Sequence, residues 1–122
     1  MMNNMVLLHG RVTHQPVTLD NKDGSKAVLF TVACNRSYKD EDGNTPTDFV
    51  EVRGFIPAAQ AKKKNPLGVY EFVTKGSLIG VQGSVRSESY NKDNTTIYKQ
   101  VIQVESIDLR ESKAAREARA NK

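Results

Sequence analysis

Asp48-Phe49-Val50-Glu51-Val52-Arg53-Gly54-Phe55-Ile56 has the β-branched and aromatic content of a strand, and its two parities differ in kind. Side chains on a strand alternate between the two faces of a sheet. Val50 and Val52 share one face, while Phe49, Glu51, Arg53 and Phe55 share the other. The second row would make a poor core, because burying unpaired charge is costly. It belongs on the side that meets solvent or a ligand. Leu78 to Tyr90 repeats the division, with Ile79, Val81 and Val85 on one parity and Gln82, Ser84, Arg86, Glu88 and Tyr90 on the other. Two strands that are apolar on one side only point to a sheet wrapped around a single core.

The flanking segments supply the rest of that sheet. Met5 to Thr13 reads as a first strand, with Gly10 marking a bend or bulge. The turn cluster Asn21-Lys22-Asp23-Gly24 leads into Lys26 to Arg36, apolar on both parities at first and therefore expected in a central position. Ser37 to Thr47 is too polar to pack, and its Asp42-Gly43-Asn44 signals a hairpin before the strand Asp48 to Ile56. Ala58 to Lys64 favours helix, ended by Asn65-Pro66-Leu67-Gly68. Leu78 to Tyr90 and Thr96 to Leu109 are two further strands joined at Asn91-Lys92-Asp93-Asn94. An all-β chain of five strands with one short helix between the third and fourth is the pattern of an OB-fold Greek-key barrel, a fold whose exposed sheet face binds oligonucleotides or oligosaccharides. One domain, residues 1–109, is expected, followed by a basic, flexible tail over 110–122 with no clear apolar stripe.

The bulk numbers narrow the function. A chain of 122 residues has room for one core. Its net charge of +4 is concentrated at the end, where Arg110, Lys113, Arg116, Arg119 and Lys122 face only Glu111 and Glu117. The preceding 109 residues carry 13 basic and 12 acidic side chains, so any polyanion must be met by basic residues gathered on one face. No apolar run approaches the roughly 20 residues needed to cross a bilayer, and no basic and hydrophobic leader opens the chain, so a cytoplasmic protein without a membrane role is expected. The single Cys34 lies in an apolar run and reads as a small buried thiol. His9 and His14 lack metal-ligand spacing, there is no phosphate-cradling glycine loop, and no nucleophile with its base can be assembled. The expectation is a protein that is not an enzyme, with no cofactor, metal or small-molecule substrate.

What remains is an aromatic and basic surface. Flat rings give nucleobases a stacking platform, and neighbouring Arg and Lys hold phosphates, with little demand on base sequence. The candidate residues are Phe49, Arg53 and Phe55 on the third strand, with Arg86 and Tyr90 on the fourth. Arg36, Tyr38 and Lys39 open one hairpin arm, Lys92, Tyr98 and Lys99 belong to the other, and Arg11 lies on the first strand. Each aromatic taken alone could instead cap the barrel or pack at a subunit interface. Lys62-Lys63-Lys64 reads as a solvated face. An OB-fold module acting through RNA or through protein contacts is the alternative.

The order of the segments resembles bacterial and bacteriophage single-stranded DNA-binding proteins along nearly all of the first 109 residues. The carrying motifs are Asn4-Met5-Val6-Leu7-Leu8-His9-Gly10-Arg11-Val12, Ala27-Val28-Leu29-Phe30-Thr31-Val32-Ala33-Cys34-Asn35-Arg36, Thr47-Asp48-Phe49-Val50-Glu51-Val52, and Lys75-Gly76-Ser77-Leu78-Ile79-Gly80-Val81-Gln82-Gly83-Ser84-Val85-Arg86. The resemblance implies base stacking at Tyr38, Phe49, Phe55 and Tyr90, coating of single-stranded DNA in replication, recombination or transfer, and a homo-oligomer, a tetramer or dimer. Three departures stand out. The family's tryptophans are replaced here by Tyr or Phe, the segment Pro57 to Lys75 is long, and the end is basic where the family carries an acidic, phenylalanine-terminated tip. Recruitment of replication or repair enzymes through such a tip is therefore not expected, and a phage, plasmid or other mobile element is the expected source.

Overall fold

The computed structural model describes residues 3–111 and 113–120; Lys122, counted above in the basic tail, lies outside them. Six strands form one sheet: β1 (Val6–Val12), β2 (Val17–Asp20), β3 (Lys26–Asn35), β4 (Thr47–Ile56), β5 (Leu78–Lys92) and β6 (Thr95–Leu109). Their order is β1-β5-β6-β4-β3-β2, and a further β1–β3 pairing closes five of them into a ring. Neighbours in the ring are antiparallel except β4 and β6, which run parallel. This is the Greek-key OB-fold barrel, with β2 outside the ring as a flap on β3.

Period-2 burial builds the core. Val12, Val28, Phe30, Val32, Val52, Ile56, Ile79, Val81 and Ile102 turn inward and are buried, while Leu29 and Thr31 on β3 and Arg53 and Phe55 on β4, at the alternate positions, turn out. The ring closes where Arg11 and Val12 pair with Ala33 and Val32. A Cβ on Gly10 would overlap the carbonyl oxygen of Ala33, so glycine is what lets β1 approach β3 there.

The connection from β4 to β5 plugs one end of the barrel. Helix α1 is a single turn, Ala58–Ala61, shorter than the run to Lys64 that the sequence favours, and a 3-10 turn follows at Gly68–Phe72. Pro57 gives α1 no side-chain cap, and three consecutive lysines add only like charges. The 3-10 turn instead presents Tyr70, whose ring lies against the backbone of Gly54 and 6.4 Å from the ring of Phe30 at 57°. Val73 is fully buried beside it in the core. Burial of the Tyr70 ring raises its phenol to about 12.

Three further differences from the sequence reading have simple causes. β2 is a strand without a buried face: all four residues are exposed, and it is held by backbone pairing from Val17↔Leu29 to Asp20↔Lys26. Ser84 has the outward parity of Arg86 yet is buried, with no partner for its hydroxyl among the described residues. Cys34 packs at the edge of the core and is only partly buried, and desolvation raises its thiol. Beyond β6, Arg110 donates its backbone N–H to Leu78, and helix α2 spans Lys113–Ala120. None of the described helices is long and apolar enough to cross a membrane.

Candidate nucleic-acid interface

β4 carries the parity of its sequence into space. Val50, Val52, Gly54 and Ile56 turn inward; Phe49 and Phe55 stand outward, 69% and 51% exposed, with Glu51 and Arg53 between them. At about 3.3 Å per residue, the two rings lie roughly 20 Å apart along the strand. The register extends this face sideways, with Phe49 opposite Ala33, Arg53 opposite Leu29 and Phe55 opposite Ala27. β2 continues two of those rows, placing Val17 opposite Leu29 and Leu19 opposite Ala27. Ala27 is thus a low point between exposed Leu19 and Phe55. A cleft of about 340 Å³ lies there, bounded by Leu29 and Arg53. A second, of about 280 Å³, opens on the other side of Leu29 and Arg53, against Val17, Thr31, Glu51 and Lys99. Val17, Leu19 and Leu29 were missed by sequence reasoning. The alternation Val17-Thr18-Leu19-Asp20 was the available signal, too short to stand alone.

Two hairpins rise beside this face. β5 and β6 are 15 residues each and meet at Asp93 and Asn94, whose φ angles of 51° and 64° are those of a two-residue turn matched to strand twist. That turn fixes which residues share a side. Tyr90 stands opposite Ile97, Glu88 opposite Lys99 and Arg86 opposite Val101, so Tyr90, Arg86 and Lys99 continue the outward face and Lys92 ends it. Tyr98 stands opposite Ser89, on the reverse side of the ribbon, and is 79% exposed. The structure does not bring it together with Phe49, Phe55 and Tyr90. The other hairpin, between β3 and β4, is pinned at its base by Arg36, which donates to both carboxylate oxygens of Asp48 at 2.9 and 3.1 Å and to the Tyr38 hydroxyl at 2.8 Å. This holds Tyr38 in the open next to the Phe49 end of β4, with Lys39 following it.

Most of the cations on this surface already have partners. Arg53 donates from both terminal nitrogens to both carboxylate oxygens of Glu88, across β6. Lys99 lies 2.7 Å from Glu51. Hydrogen bonding from Arg53 holds the Glu88 carboxyl below the usual range, and Arg36 does the same to Asp48. Arg11 starts in the row of Phe49, opposite Ala33, but its guanidinium turns to the β5 side, donating to the Gly76 carbonyl at 3.0 Å and lying 3.8 Å from Glu111. Among the described residues, Lys39, Arg86 and Lys92 make no ion pair.

A barrel with an aromatic outer face, flanked by two hairpins, is matched by one family model, that of the single-strand binding protein family, over residues 2–110. The chain belongs to the single-strand binding protein family. Its relatives in that family include single-stranded DNA-binding protein 2 of Streptococcus agalactiae serotype V, 32% identical over 120 residues, which cover 98% of this chain and 86% of that protein. Single-stranded DNA-binding protein 1 of Staphylococcus aureus strain MSSA476 is 31% identical over 92% of this chain and 68% of its own length. The single-stranded DNA-binding protein of Lactiplantibacillus plantarum is 30% identical over 95% of this chain and 55% of its own length. Family membership agrees with the resemblance drawn from the ordered strand motifs.

Proposed function

We propose that this protein binds single-stranded DNA with little sequence preference, by stacking bases on the outward face of β4 and its flanking hairpins. The observation that carries the reading is the exposure of Phe49 and Phe55 on one face of a strand whose other face turns Val50, Val52 and Ile56 to the core. Large rings left in water on a rigid sheet are a platform for bases. Tyr90 and Tyr38 extend it onto the two hairpins, the clefts beside Leu29 give unstacked bases an apolar floor, and the names of the relatives support the same ligand.

The role that follows is to coat exposed single strands during replication, recombination or transfer, in the cytoplasm and on behalf of a phage, plasmid or other mobile element. The protein does this as a homo-oligomer and without turnover. Titration of an unstructured dT oligomer tests the binding. Stacking is worth about 1–3 kcal/mol per base, so Phe49→Ala with Phe55→Ala should weaken affinity by roughly a hundredfold or more while oligomeric mass and fold persist. Equal binding by the double variant would refute the stacking face, and a change of mass with affinity intact would make these rings a subunit interface.

A further inference from the structure

The outward face holds more charge than it offers. Arg53 on β4 reaches across β6 to Glu88 on β5, and Lys99 on β6 reaches back to Glu51 on β4. Lys99 also stands directly opposite Glu88 in the β5–β6 ladder. Four charges of alternating sign therefore tie three strands together and sum to zero. Arg36 and Asp48 repeat the arrangement at the base of the other hairpin. Of the seven candidate cations, Arg86 on β5 and Lys39 and Lys92 on the arms are the three with no carboxylate partner among the described residues.

We infer that Glu51 and Glu88 are built-in competitors of phosphate, which keep the centre of the face for bases and leave the DNA backbone to Lys39, Arg86 and Lys92. The inference rests on the single-stranded DNA reading above. A phosphate that took Arg53 would have to displace Glu88, so one ion pair would replace another. The displaced carboxylate would then stand within a few ångströms of a second anion and repel it. Such an exchange releases few counterions and gains little. An unpaired lysine or arginine at the rim loses nothing when a phosphate arrives. The acidic residues thus set specificity within the site: they favour stacked bases over backbone at the centre, and they weaken any polyanion that lacks exposed bases to stack.

Salt dependence reads this out. Each phosphate neutralised on a single strand contributes about −0.7 to the slope of log affinity against log salt, so three rim contacts give about −2, whereas all seven candidate cations would give about −5. The experiment titrates the full chain with a dT oligomer at a series of salt concentrations, comparing wild type with Glu51→Gln plus Glu88→Gln. Circular dichroism and thermal melting check that each variant is folded. Freeing Arg53 and Lys99 should steepen the slope to about −3.5 and tighten low-salt binding about tenfold or more. If the double variant does not fold, the more exposed Glu51→Gln alone should move the slope by about −0.7. In the other direction, replacing Lys39, Arg86 and Lys92 by Gln should bring the slope near zero. Wild-type binding with a slope that the Glu variants leave unchanged, or a folded variant that binds more weakly, would overturn the competitor assignment alone. A wild type that binds no single strand would overturn the binding reading and this inference with it.

Discussion

The two faces of β4 come from one ten-residue strand and do unrelated work. Val50, Val52 and Ile56 pack against β3, β6 and the plug carrying Val73, where shape and volume decide stability. Phe49, Glu51, Arg53 and Phe55, on alternate positions, stand on the outer side and carry rings and charges that the apolar core does not use. A strand can hold both because alternate side chains never meet: the core face is constrained by packing, and the outer face is free to be set by a ligand.

The contrast is broken most severely from the inside. Val52 is 1% exposed, and Val52→Asp places an unpaired charge in the core, costing roughly 4 kcal/mol or more, enough to unfold a domain of this size. Thermal melting should show the loss, and any fraction that remains folded should keep the binding face. A smaller effect sharpens the same division. Tyr70, in the plug, keeps its proton to about 12 because its ring is largely buried. Its folded value lies above its ordinary one of 10.0, so its contribution is fully present below pH 10 and is lost as the pH rises toward 12. Denaturant melts across that range should lose about 1–2 kcal/mol, and Tyr70→Phe should remove that part of the pH dependence.

The five ring strands and the outward row of β4 were legible in the sequence because both are written in period-2 alternation, which a barrel enforces residue by residue. Other features depend on where strands meet. β2 is held by backbone pairing at an edge, and its four exposed side chains leave no core signature. The plug is read poorly because Tyr70 and Val73 enter the core from a 3-10 turn and its exit, where neither strand nor helix periodicity applies. The ion pairs were out of reach, since Arg53 meets Glu88 only through the parallel register of β4 on β6 and the antiparallel register of β6 on β5. Tyr98 illustrates how narrow the margin is. A two-residue turn places it opposite Ser89 and so behind the ribbon, whereas Tyr90, eight positions earlier, stands in front.

That last pair of tyrosines, set beside the rings of β4, gives the most direct test of the account. Ultraviolet cross-linking of the full chain to a bound dT oligomer, followed by mass-spectrometric mapping of the attached residues, reports which rings lie against bases. Adducts at Phe49, Phe55 and Tyr90, with Tyr98 unmodified, are the expected result. Adducts confined to Tyr98, or to β1 on the far side of the barrel, would place the DNA elsewhere and contradict the assignment of the outward face of β4 as the stacking surface.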